Sequence, residues 1–177
     1  MGCLLKVKFL YVSSFVVLSL VASCGKYNNI THTFQMGEKV TVGPLIYTVL
    51  STDWKEEIGE GTDKMVPKNR FLVVHMSVTN SGGTEAGSPL TVLIDKAGKE
   101  YPELQEVKAL SGWLPIFRRL APAATDDGNI VFDAPMGIYK LKVADGGDLE
   151  NEKIAYIDLP LELQAPPPMQ LPNQPTR

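Results

Sequence analysis

Residues 71–80 read Phe71-Leu72-Val73-Val74-His75-Met76-Ser77-Val78-Thr79-Asn80, and this stretch decides the fold class. A β-strand sends successive side chains to opposite faces. The even positions Leu72, Val74, Met76 and Val78 are all apolar, so that face belongs to a core. The odd positions turn polar after Val73, which sends His75, Ser77 and Thr79 the other way. Branched residues dominate the run, and Asn80-Ser81-Gly82-Gly83 closes it with turn chemistry.

Outward from this strand, further strands are readable over 39–42, 46–52, 90–94, 129–133, 139–143 and 154–159. Between them stand Gly43-Pro44, Asp95-Lys96-Ala97-Gly98, Ala134-Pro135-Met136-Gly137 and Asp145-Gly146-Gly147-Asp148. Turns at this spacing belong to an all-β sandwich or barrel. The segment 103–120 is ambiguous. Glu103, Leu104, Val107 and Leu110 suit one short helix, and Pro115 and Pro122 prevent a long one.

Four stretches carry a family resemblance. They are Gly37-Glu38-Lys39-Val40-Thr41-Val42-Gly43 leading into Tyr47-Thr48-Val49, then 71–80, then Asp95-Lys96-Ala97-Gly98-Lys99-Glu100-Tyr101, and finally Gly128-Asn129-Ile130-Val131-Phe132-Asp133-Ala134-Pro135. In order and spacing they resemble a family of bacterial extracellular domains of uncharacterised function with a telokin-like, immunoglobulin-type fold, also seen in a secreted mycobacterial antigen. The resemblance implies an antiparallel β-sandwich and an exported or lipid-anchored protein. It brings no catalytic motif. The segment Ser111-Gly112-Trp113-Leu114-Pro115-Ile116-Phe117 matches no feature of that family.

The N-terminus supplies an address. Lys6 and Lys8 give a basic start, residues 9–22 are uncharged, and Leu20-Val21-Ala22-Ser23-Cys24 ends the run with small residues before a cysteine. This arrangement resembles a bacterial lipoprotein signal peptide with its lipobox. The resemblance implies cleavage after Ser23 and a lipidated Cys24. The apolar run is shorter than the ~20 residues a membrane helix needs. Met1-Gly2-Cys3 suggests eukaryotic myristoylation, but Lys6 stands where that pattern wants Ser or Thr. An ordinary secretory signal with an incidental Cys24 is the other alternative.

The expected organisation is a signal peptide over 1–23, a lipidated cysteine and polar tether over 24–36, a sandwich over 37–163, and a Pro-rich disordered tail over 164–177. That tail holds five of the 13 prolines, Pro166, Pro167, Pro168, Pro172 and Pro175. Cell-membrane anchoring through Cys24 is the expected localisation. Gly25 after the cysteine implies the outer membrane in a Gram-negative host.

Composition narrows the partners. Loss of Lys6 and Lys8, with no acid, takes the formal charge from −3 to −5. The only adjacent cationic pair after the leader is Arg118-Arg119, so nucleic acid is not an expected partner. Cys3 and Cys24 are the two cysteines, which leaves the folded part without a thiol, a disulfide or a thiolate metal ligand.

Chemistry is sparse. His32 falls in the tether and His75 stands on a strand, with no G-x-S-x-G anywhere. No catalytic, cofactor-binding or metal residue is assigned, and no cofactor is expected. Asp126-Asp127-Gly128 and Asp145-Gly146-Gly147-Asp148 read as solubilising turns, with calcium the alternative. Trp113 and Phe117 form a candidate interaction patch, the alternative being a plug at one end of the sandwich. The expected function is that of a non-enzymatic binding module for an unknown protein or small-molecule ligand. A structural accessory of an envelope assembly, or a hydrolase with an unrecognised site, are the alternatives.

Overall fold

A computed structural model describes residues 32–107, 109–115, 118–147 and 151–161. Strands β1 (Thr33–Gln35), β2 (Val40–Val42), β3 (Leu45–Lys55), β4 (Arg70–Asn80), β5 (Ala86–Ser88) and β6 (Val92–Ile94) come first. After them follow β7 (Glu100–Pro102), β8 (Arg118–Leu120), β9 (Thr125–Ala134), β10 (Tyr139–Ala144) and β11 (Ile154–Leu159). Among the described residues there is no α-helix, only a 3₁₀ turn at Gly61–Asp63.

Two sheets make a β-sandwich. One has the order β1-β11-β10-β6-β7, the other β2-β3-β4-β9, and β5 pairs with β8 in a small third ladder. All pairs are antiparallel except β1 with β11. Strand β4 is the spine of the four-stranded sheet, with Val74 opposite Thr52 on β3 and Ile130 on β9. Its even positions enter the main core, together with Tyr47, Leu93, Phe132, Leu141 and Ile157. Alternation therefore explains the burial of this face.

The other face of β4 is divided. Phe71 and Val73, with Val131 across the ladder, lie under Ile58 and Val107 in a second cluster. Met65, Leu104, Leu110 and Trp113 pack against it. Beyond Val73 this face carries His75, Ser77 and Thr79, all partly exposed.

Two expectations are corrected. The sandwich begins at Thr33, inside the 24–36 segment read as a tether, because Phe34 packs on the core and β1 pairs with β11. The short helix expected within 103–120 is absent from the described residues. The segment is tied to β9 at both ends, Leu104 N–H reaching Val131 O at 2.8 Å and Leu114 N–H reaching Asn129 O at 2.9 Å, and between them the described residues close only single turns, Leu110 N–H to Val107 O at 3.0 Å and Trp113 N–H to Leu110 O at 3.2 Å. Isolated i→i−3 bonds make turns and not a helix, which needs successive i→i−4 bonds. The proposed lipid site Cys24, Phe117 and the tail 164–177 lie outside the described residues.

Candidate binding cleft

The sheet containing β1 carries a cleft of about 660 Å³ on its outer side, within the ~300–1,000 Å³ usual for ligand sites. Its floor is a cross-strand row. Gln35 stands opposite Asp158, Asp158 opposite Lys140, and Lys140 opposite Ile94. The polar members of the row satisfy one another. Gln35 Nε2 donates to Asp158 Oδ2 at 3.3 Å, while Lys140 Nζ lies 3.6 Å from Asp158 Oδ1 and donates to Thr33 Oγ1 at 3.1 Å. Their aliphatic stems and Ile94 are left as the lining.

The walls are apolar. Ile138, in the β9–β10 turn, is 48% exposed, and Leu159, Pro160 and Leu161 close the other side. Tyr139 is fixed behind them. Its hydroxyl donates to Pro135 O, and its ring meets Tyr101 edge to face with centroids 5.7 Å apart. At the rim Asp95 is committed to its own turn, accepting from Ala97 N–H at 2.8 Å, Lys99 N–H at 2.9 Å and Tyr101 O–H at 3.3 Å. The Lys99 backbone donor leads in holding this carboxyl below its usual range. Neighbouring Lys96 is exposed. The arrangement offers apolar contact beside the Lys140–Asp158 pair of the floor, with Asp95 and Lys96 at the edge.

Three sets of residues singled out in the sequence fall elsewhere. His75 is not isolated: its Nδ1 lies 3.2 Å from Asn129 Oδ1 and its Nε2 3.4 Å from Asp127 Oδ1. Both ring nitrogens thus face side chains of β9. Asp126-Asp127-Gly128 falls inside β9 and not in a turn. Asp145 Oδ1 accepts from Gly147 N–H and Lys153 N–H, both at 3.1 Å. No group of three metal-ligating side chains occurs among the described residues. Trp113 lies against the second cluster on the outer face of the sheet and not at an end of the sandwich.

A buried polar network escaped the sequence. Arg118 and Glu103 have side chains 1% and 0% exposed. Arg118 Nη1 donates to Glu103 Oε1 at 3.0 Å, and Nη2 donates to Oε2 at 3.1 Å. Thr91 adds its N–H at 3.1 Å and its hydroxyl at 2.9 Å to Oε2. Burial raises the Glu103 carboxyl, opposed by the Arg118 charge. Nearby, the Tyr47 hydroxyl donates to Ala144 O at 2.7 Å and lies 3.2 Å from Ser88 Oγ. The signal for Arg118 was present in parity, since it shares a face of β8 with fully buried Leu120.

Burial pushes the Tyr47 phenol up from 10.0 to about 12. The folded state therefore holds the proton more tightly than the unfolded chain. Stability is whole below pH 10 and is expected to fall as pH rises from 10 to about 12. Urea titrations across that window check this, and Tyr47→Phe is expected to flatten the slope.

No curated protein matches the chain. Among solved structures, the yjhA protein from Bacillus subtilis aligns at 17% identity and TM-score 0.56, over 72% of this chain and 99% of that one. A "putative lipoprotein (ycdA)" from Bacillus subtilis aligns at 13% identity and TM-score 0.52, over 68% of this chain and 38% of that one. A "functionally unknown protein" from Listeria monocytogenes aligns at 10% identity and TM-score 0.52, over 71% and 82%. At these identities the likeness is one of fold, a β-sandwich in each case. The assignment of kinship comes from the sequence itself: the chain belongs to the family described as Domain of unknown function (DUF4352), which matches residues 34–153.

Proposed function

We propose that this chain is a lipid-anchored bacterial envelope protein whose sandwich is a binding module, with its ligand seated in the cleft between Ile138 and Leu161. The observation that carries the reading is the cleft's construction. Its floor polar groups have partners among themselves and in Thr33, and Ile94, Ile138, Leu159 and Leu161 offer a ligand aliphatic surface. Such a surface favours an extended, mainly apolar ligand. The anchor is supported by the sequence ending in Cys24. Two lipid attachments on that residue would satisfy the need for a second signal, since one acyl chain holds a protein only marginally.

The cleft is tested with 1-anilinonaphthalene-8-sulfonate, a fluorescent apolar probe. Saturable binding is expected for the wild type and about tenfold weaker binding for Ile138→Glu, since ~1.4 kcal/mol corresponds to tenfold. Ile138 is half-exposed, so the variant should retain its melting temperature. Equal affinity in both proteins would remove the cleft from consideration. The anchor is tested by mass spectrometry of the mature N-terminus in a bacterial host. A lipid-modified Cys24 is expected, lost in Cys24→Ser. An unmodified wild-type N-terminus would overturn the anchor and leave the cleft reading standing.

A further inference from the structure

We infer that the cleft takes a single-chain amphiphile with an anionic head, a fatty acid carboxylate, whose head lies at Lys96 and whose chain runs toward Leu161. The inference deepens the reading of the cleft as a binding site and rests on it. The first argument is charge. Among the described residues, the charged side chains lining the cleft are Asp95, Lys96, Lys140 and Asp158. All but Lys96 are committed. Asp95 accepts on both oxygens, Oδ1 from the Ala97 and Lys99 amides and Oδ2 from the Tyr101 hydroxyl. Asp158 is engaged on both as well, Oδ2 by Gln35 Nε2 and Oδ1 by Lys140 Nζ, and Lys140 also donates to Thr33. Even Lys99, in the same turn as Lys96, lies over the Tyr101 ring with its Nζ 4.7 Å from the centroid. The Lys96 ammonium has no such partner among the described residues. A free ammonium at the mouth of an apolar cleft selects an anion, whereas a cation would meet carboxylates already engaged.

The second argument is the direction of the cleft. Strand β10 pairs with β6 on one side and with β11 on the other. Ile94 on β6 and Asp158 on β11 both face Lys140, so they stand two strand spacings apart, ~10 Å. Lys96 follows Ile94 at the β6 side, while Leu159, Pro160 and Leu161 form the β11 side. Between them stands Ile138, just before β10. The free charge therefore lies at one end of the cleft and the apolar wall at the other. An amphiphile has the same polarity from head to tail. A cleft of about 660 Å³ is of the size that holds one drug-sized ligand, which suits one alkyl chain and not the two of a phospholipid. Burial of methylene groups along the wall supplies affinity, and Lys96 supplies the choice of sign.

The test is isothermal titration calorimetry of the full chain at neutral pH and low salt, comparing decanoate with decanol, its uncharged counterpart of equal chain length. Decanoate is expected to bind about fivefold more tightly, the yield of one partly exposed ion pair. Lys96→Met should bring decanoate down to the affinity of decanol and leave decanol where it was. Lys96 is exposed and outside the core, so the variant should keep its melting temperature. Dihexanoylphosphatidylglycerol, a soluble anion with two chains, is expected to bind more weakly than decanoate. Equal affinities for decanoate and decanol in the wild type, or a preference that survives Lys96→Met, would overturn the inference and leave the cleft reading intact. Tighter binding of dihexanoylphosphatidylglycerol would overturn the single chain in favour of a two-chain lipid. No binding of either decyl probe, joined by equal affinity of wild type and Ile138→Glu for the fluorescent probe, would remove the cleft and the inference together.

Discussion

Arg118→Met is expected to lower the free energy of unfolding by about 3–5 kcal/mol at neutral pH, as breaking one side of a buried ion pair does. The cost arises from what remains. Glu103 would face the interior with no exposure to water, and the donors left to it among the described residues would be the N–H and the hydroxyl of Thr91. Burial already raises this carboxyl in the presence of Arg118, and removal of the guanidinium sends it higher. A carboxyl whose folded ionisation lies above its unfolded one is most favourable when protonated. The deficit of Arg118→Met should therefore shrink as pH falls through the carboxylate range. Adding Glu103→Gln keeps an acceptor for Thr91 and removes the charge, so the double variant should recover most of the loss. Urea unfolding of the four proteins at two pH values decides the matter. A double variant no better than Arg118→Met would show that packing, and not stranded charge, sets the cost.

Gly128→Ala is expected to destabilise by about 2–3 kcal/mol through overpacking and the loss of backbone pairing. Gly128 lies within β9 where the segment from Gly112 to Leu114 crosses the sheet edge. A Cβ there would fall on the Gly112 carbonyl oxygen and within 2.9 Å of Leu114 Cγ. Backbone must move to admit it. Two hydrogen bonds would suffer, Asn129 N–H to Gly112 O at 2.7 Å and Leu114 N–H to Asn129 O at 2.9 Å. Gly83→Ala is the control, since a Cβ at that position meets open space and surface changes stay within about 0.5 kcal/mol. Thermal unfolding of both variants tests the contrast. Equal melting temperatures would show that the crossing segment yields without cost.

Legibility in the sequence followed locality. The alternation over 71–80 was readable because its pattern is contained in one strand, and the sandwich followed from similar runs at 46–52, 129–133 and 139–143. Of the three-residue strands only β2 and β6 were readable, inside the runs 39–42 and 90–94. β1, β5, β7 and β8 are too short for a period to register, and Phe34 is the one core-packed residue that marks β1. The double burial of Phe71 and Val73 did leave a trace, as these odd positions are apolar before the polar ones begin. What covers them, residues drawn from 58–65 and 104–113, did not. Asp126-Asp127-Gly128 resembled a turn because its composition is that of a turn, whereas its glycine is required by a distant chain crossing.

The cleft was invisible for a related reason. Gln35, Ile94, Lys140 and Asp158 form one row only because the topology brings four strands into that register. Gln35 and Asp158 are separated by 123 positions. No local pattern encodes such a row. Glu103 and Arg118, likewise, are ordinary surface residues by type. Only their shared parity with Tyr101 and Leu120 marks them as inward.

The parallel pairing of β1 with β11 has a mechanical consequence. The first and last strands run side by side in the same direction, with Thr33 beside Tyr156 and Gln35 beside Asp158. A pull on the chain before Thr33, opposed by a pull on the chain after Leu159, would load the two strands in shear along their length. Their rungs would then share the force and yield together, where an antiparallel pair pulled from one end would open a rung at a time. A domain tethered by its N-terminal side and gripped by its C-terminal side is thus held by a clamp three rungs long, whose rupture is set by a rate of unfolding and not by an equilibrium.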